Sequence, residues 1–191
     1  MKVAAAFLVF TLAQGCDLFQ TRDPESPTQG SSTRVPPTRY EDVLSNLQFA
    51  ISEDNANNYV LCFAEPTDRP FEFIAAQETR ARFPTVFDQW SIESERRYFQ
   101  NLGAPANAVP SLTLHNQTAI YVGSDSVIYN TNYILFFPHR RTGIPQVVQG
   151  NMQVYLSLDS QRRFWSIYRW QDSRTTSDST WSYLKAVFSG S

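Results

Sequence analysis

The chain has 191 residues, with 18 Asp and Glu against 16 Lys and Arg, a formal net charge of -2 and no long block of either sign. That balance excludes the electrostatic footprint of a nucleic-acid-binding domain. Its 14 Phe, 9 Tyr and 4 Trp bring large areas to bury, so a single domain of this length can form a core without disulfides or a structural metal.

Residues 1–15 read as an export signal. Lys2 is a minimal basic start, Val3 to Ala13 is an almost unbroken apolar run too short to cross a bilayer as a stable helix, and small residues close it. Leu12-Ala13-Gln14-Gly15-Cys16 resembles a bacterial lipobox. The resemblance implies cleavage before Cys16, acylation of that cysteine, and a lipid bilayer as partner through Cys16, since several acyl chains anchor stably where one does not. It also implies a place in the bacterial cell envelope, facing the periplasm or exterior. With Cys16 acylated, Cys62 is left alone and no intrachain disulfide forms. Residues 16–37 are rich in Pro, Ser, Thr and charge, too poor in apolar surface to offset their ordering entropy, and read as the lipidated cysteine and an extended tether.

Residues 38–191 read as one α+β domain. Thr38 and Glu41 form a capping-box pattern after Pro37, followed by Val43, Leu44, Leu47, Ala50 and Ile51 at amphipathic spacing. A short helix or turn is expected around Asn55, carrying Tyr59, Val60, Leu61, Cys62 and Phe63 into the core. FEFI after Pro70 reads as a short strand with Phe71 and Phe73 on one face. Ser91 caps a later helix with Glu93 and Glu95 near its positive end, Gly103 and Pro105 end it, and Trp90 packs back over its first turns.

From Ser111 the period changes to that of strands, in SLTLHNQTAIYVG, SVIYNTNYILFF, VVQGNMQVYLSLD and FWSIYRWQD, with turns at Gly123 to Asp125 and Asp159 to Arg163. Alternation places Met152, Val154, Leu156 and Leu158 on one face. It pairs Trp165 with Ile167, and places Phe164, Tyr168 and Trp170 opposite, so this last strand is expected inside a curved antiparallel sheet with cover on both faces. Helices first and strands afterwards indicate an α+β domain. FWSIYRWQD, Phe164 to Asp172, is similar to the late strand of the nuclear transport factor 2-like superfamily. Over about Thr38 to Ser173 the resemblance implies N-terminal helices packed on a strongly curved, cone-like antiparallel sheet. The main competitor, a lipocalin-like barrel, fits less well because capped helices precede too few strands.

Enzymes of that superfamily place an Asp or His inside the cone, but His115 lies on a strand face opposite Leu112 and Leu114, and His139 sits in a PHRR loop. Asp54, Asp68, Asp88 and Asp172 fall at apparent turns or element ends, where aspartate satisfies backbone donors. Cys62, among apolar neighbours, reads as a small core residue. The chain carries no nucleophile elbow, phosphate loop, paired-cysteine motif or HExxH pattern. No catalytic residue, metal or cofactor is expected. The reading is of a tethered extracytoplasmic binding or scaffold domain, with an envelope protein or a small apolar ligand as further partner, no nucleic acid, and Tyr129, Tyr133, Tyr155, Tyr168 and Trp170 as ligand-binding candidates. The alternatives are a small-molecule enzyme using a buried Asp or His, which requires that group to face a solvent-connected cavity, and a structural accessory protein of the envelope.

Overall fold

A computed structural model describes residues 32–65 and 69–190; the signal segment, Cys16 and most of the tether lie outside the described residues. The first helix, α1 (Tyr40–Ser52), starts later than the Thr38 cap predicts, because Asp42 rather than Glu41 turns back. Its carboxylate accepts the Arg39 amide at 2.9 Å and the Thr38 hydroxyl at 3.3 Å. Pro37 is held against the sheet, its carbonyl accepting the Trp165 amide at 2.8 Å. The stripe Val43, Leu44, Leu47, Ala50 and Ile51 is buried as its spacing requires. Residues 32–37, compositionally the end of a linker, are tied to this helix: the Asn46 side chain accepts the Val35 amide at 2.9 Å and donates to the Val35 carbonyl at 2.8 Å. Next comes α2 (Ala56–Val60), capped by Asn55, whose side chain accepts the Asn58 amide at 3.0 Å.

β1 (Glu72–Ile74) is the FEFI strand, followed by a short helix, α3 (Gln77–Arg82). Ser91 then caps α4 (Ile92–Leu102), which ends at Gly103 with a φ of 53°, a backbone conformation that glycine adopts without a Cβ penalty. The four long strands are β2 (Ser111–Tyr121), β3 (Ser126–Phe136), β4 (Val147–Leu158) and β5 (Trp165–Ser173), and the chain closes with α5 (Trp181–Ser189).

The five strands form one sheet in the order β1-β5-β4-β3-β2. β2 to β5 are antiparallel neighbours, but β1 runs parallel to β5, with Phe73 opposite Trp170. The expected strongly curved, cone-like antiparallel sheet is therefore corrected. The sheet is mixed and open, with β1 and β2 as its edges, and is neither closed nor strongly curled. The reason lies in the connection: β1 reaches β5 through two helices and three strands rather than a hairpin, and a chain returning that way can lie parallel. The α+β assignment stands.

Two β-bulges set which side chains enter the core. On β5, Tyr155 of β4 pairs with Arg169 while Leu156 pairs with Ile167, so Tyr168 is an extra residue. The face that Trp165 and Ile167 bury is taken over beyond this point by Trp170 and Asp172. Strict alternation puts Trp170 with Tyr168 on the opposite face; the bulge overturns that. On β2 a second shift between His115 and Thr118 includes Asn116 at a φ of 56°.

Gly150 of β4 faces Tyr133 of β3, and a Cβ there meets the Tyr133 hydroxyl and the Ser173 carbonyl, both at 2.6 Å. Only a residue without a side chain lets Tyr133 lie across the sheet. Gly150→Ala is expected to cost about 1–3 kcal/mol through overpacking, lowering the thermal midpoint by about 2–4 °C per kcal/mol; an unchanged melt shows that Tyr133 has room to move.

Candidate functional site

The bulge at Tyr168 separates the five aromatic ligand-binding candidates. Tyr129, Tyr133 and Trp170 are core residues on the helix-covered face. Tyr155 and Tyr168 are half-buried on the other face, with ring centroids 6.1 Å apart and capped by guanidinium groups: Arg169 lies 5.1 Å from the Tyr155 ring and Arg69 4.4 Å from the Tyr168 ring. The structure does not bring the five together.

The covered face instead holds two buried polar clusters that sequence reasoning missed, both closed by α5. In the first, Asp172 accepts the Tyr133 hydroxyl at 2.8 Å on one oxygen, and the Ser182 amide at 2.7 Å and hydroxyl at 2.5 Å on the other. Tyr133 in turn accepts the Trp181 amide at 2.7 Å. Burial raises the Asp172 carboxyl above its ordinary range, opposed by the hydrogen bonds from Ser182 and Tyr133 and by the charge of Lys185.

In the second, Glu95 of α4 accepts the Tyr59 hydroxyl at 2.8 Å, the Trp90 indole N–H at 2.8 Å and the ammonium of Lys185. Both partners of the ion pair are fully buried. The Lys185 nitrogen sits in a ring of aromatic faces, 3.8 Å from the Phe73 centroid, 4.0 Å from Trp170, 5.8 Å from Tyr98 and 5.9 Å from Trp90. Burial pushes the Lys185 ammonium down to about 8, against the opposing charge and hydrogen bond of Glu95 and the charge of Asp172.

That shift has a sign in the stability profile. Between pH 8 and the unfolded lysine value of about 10.4, the unfolded chain binds more protons at Lys185 than the folded one, so this group's contribution rises with pH and is lost as pH falls through 8. Burial raises Cys62 to about 12 and lifts Tyr59, Tyr98 and Tyr133 well above 10, so these groups act in the opposite sense, the cysteine from about pH 9 and the tyrosines from about pH 10. Urea denaturation from pH 7 to 10 is expected to show a rise between pH 8 and 9 that the double variant Glu95→Gln/Lys185→Met lacks. Parallel profiles for the two proteins would mean that Lys185 does not titrate in this window.

Every oxygen of both carboxylates is engaged internally, both residues are buried, and neither lines either of two open clefts. One open concavity is a groove of about 360 Å³ between residues 71–75 and 87–90, with Arg80 at its side. Phe73 and Trp90, which cage Lys185 from within, are part of its wall from without. Phe87 packs on both, with centroids at 5.6 and 5.1 Å. Among the charges on the groove, Glu72 pairs with Arg169 at 3.2 Å. Arg80 and Asp88 are exposed and form no salt bridge with a described residue. A second cleft of about 390 Å³ lies beside Gly103 and Phe188, with Arg140 and Arg141 on it, but Arg141 already donates to the Val187 carbonyl.

His115 is exposed on β2. His139, read as a loop residue, is buried with both ring nitrogens used: the Arg141 amide donates to Nδ1 at 3.2 Å, and Nε2 lies 3.2 Å from the Pro145 carbonyl. Among the described residues no His, Cys, Asp and Glu cluster could hold a metal, and no helix is long and apolar enough to cross a membrane. The expected lipid-bilayer partner is corrected. The cysteine that the structure places, Cys62, is buried at 2% exposure, with its thiol turned toward the Asn58 carbonyl, and offers no surface attachment point. Cys16 itself lies outside the described residues.

No protein-family model matches the chain, and no curated protein matches it in sequence. Solved structures do match. A protein assigned as a scytalone dehydratase, from Novosphingobium aromaticivorans, superimposes with a TM-score of 0.54 at 11% identity over 71% of this chain and 81% of that one. A protein assigned as an aromatic ring hydroxylase, from the same organism, gives 0.51 at 13% identity over 72% and 87%. A nuclear transport factor 2-like superfamily protein from Salmonella enterica gives 0.52 at 11% identity over 72% of this chain and 89% of that one; at these identities the likeness shows fold alone.

Proposed function

We propose that this is a noncatalytic binding domain whose ligand lies in the groove between β1 and residues 87–90. The domain acts outside the cytoplasm, as the export-type segment at residues 1–15 implies. The observation that carries the reading is the contrast between the two sides of the Phe73 and Trp90 wall. Inside it, Glu95 and Asp172 spend their oxygens on Tyr59, Trp90, Lys185, Tyr133 and Ser182. Neither buried carboxylate has an oxygen free to act on a bound substrate, as general acid–base catalysis requires. Outside it, Phe71 and Phe87 line an open concavity whose remaining surface is largely polar, with Glu72, Arg80, Asp88 and Gln89 on it. The matched proteins with enzyme assignments share the fold, and function resides in the site rather than in the fold.

Titrating the labelled domain with indole and following amide shifts tests this. Shifts confined to residues 71–75 and 87–90, weakened about tenfold by Phe87→Ser, are the expected result. No shift at millimolar indole, or shifts centred on Tyr155 and Tyr168, overturns the proposal.

A further inference from the structure

One wall of the groove is the edge of a sheet. β1 is bonded to β5 on one side and, among the described residues, has no strand on the other, and residues 71–75 line the groove as one continuous run. Alternate residues of an edge strand turn their N–H and C=O groups away from the sheet. No backbone hydrogen bond between described residues joins 71–75 to the facing segment, 87–90. The β1 wall of the groove thus carries outward backbone groups with no backbone partner among the described residues, and the groove has aromatic rings at Phe71 and Phe87 and exposed charges of opposite sign at Arg80 and Asp88. Its volume of about 360 Å³ is at the small end of ligand pockets, which run from roughly 300 to 1,000 Å³; it suits one seated ring beside a backbone better than a whole apolar molecule.

We infer that the groove takes an extended peptide segment, which adds to β1 as a sixth strand and seats one aromatic side chain against Phe71 and Phe87. This rests on the groove being the binding site and names the class of ligand. Side chains of an added strand alternate between the two faces, so one ring enters the groove while its neighbours point away. Arg80 and Asp88 give the segment's polar groups partners of either sign. In this mode main-chain hydrogen bonds carry affinity and the seated side chain carries selectivity.

The test uses a positional-scanning library of end-blocked heptapeptides with Phe, Tyr or Trp fixed at the centre, measured by fluorescence polarisation alongside indole binding by amide shifts. The expected result is that one or more pools bind, that the best single peptide protects amides of residues 71–75 from hydrogen exchange, and that N-methylation of one of its alternate backbone amides costs at least about tenfold in affinity. Equal binding by all singly N-methylated forms overturns strand addition, since side chains alone would then hold the peptide. Indole binding with no peptide pool binding also overturns it, while leaving the groove as a small-molecule site. Failure of both probes removes the groove reading itself. Protection of residues 71–75 that appears with rising protein concentration, without peptide, assigns the edge to a second copy of the chain and overturns the peptide proposal.

Discussion

Glu95→Ala is expected to destabilise the domain by about 3–5 kcal/mol, the cost typical of removing one partner of a buried ion pair. The substitution strands more than a charge. Lys185 is left inside its aromatic ring with no anion, and the Tyr59 hydroxyl and Trp90 indole N–H lose the acceptor they share, each a buried donor whose desolvation is no longer offset. Domains of this kind have about 5–15 kcal/mol in total, so the variant should sit near the edge of folding at 37 °C. The double variant Glu95→Gln/Lys185→Met separates the causes. It removes both charges and keeps an amide oxygen for the Trp90 N–H while the amide NH2 can donate to the Tyr59 hydroxyl oxygen, and replacing a buried pair with neutral groups of similar volume is commonly neutral or stabilising. Urea midpoints for the two variants and the parent are the measurement. If the double variant is as unstable as Glu95→Ala, the charge pairing itself, rather than the stranding of Lys185 or the bonds to Tyr59 and Trp90, is what Glu95 provides; the single variants Glu95→Gln and Lys185→Met complete a cycle that yields the coupling.

The same residues mark the limit of what the sequence discloses. The stripe of α1, the Asn55 and Ser91 caps, Gly103 and all four long strands follow from local chemistry, because periodicity and capping act within a few residues. The interior cluster does not. In FWSIYRWQD, apolar residues occur at both parities, and cover on both faces is one solution. The other is a bulge, and strict alternation contained its own warning: it puts Arg169 on the face of Trp165 and Ile167, a charge in the core. The extra residue at Tyr168 resolves this by turning Arg169 out and Trp170 and Asp172 in. α5 was hidden for a related reason. Trp181, Leu184, Lys185 and Phe188 have helical spacing, yet a lysine in the stripe reads as a solvent position until Glu95, ninety residues earlier, is known to meet it. The parallel pairing of β1 with β5, and so the open edge that borders the groove, is nonlocal altogether: nothing in FEFI specifies which strand lies beside it.

Trp181→Ala is the substitution expected to tell whether α5 is a fixed part of this interior. Trp181 is buried at 1% exposure and meets Trp170 edge-on at a centroid distance of 4.6 Å and Tyr133 at 5.4 Å. Its indole N–H donates to the Tyr98 hydroxyl at 2.9 Å. Truncation of a buried Trp removes its transfer energy and leaves a cavity, for about 3–5 kcal/mol. Because Ser182 and Lys185 follow on the same helix, their bonds to Asp172 and Glu95 should weaken with it. The expected result is one cooperative urea transition at lower midpoint, with hydrogen-exchange protection falling together in α5, α4 and β5. If α5 instead loses protection while the sheet keeps its own, the helix is a separable unit. Asp172, Glu95 and their aromatic surround would then open to solvent when it leaves, and the search for a ligand would move from the β1 groove to the interior.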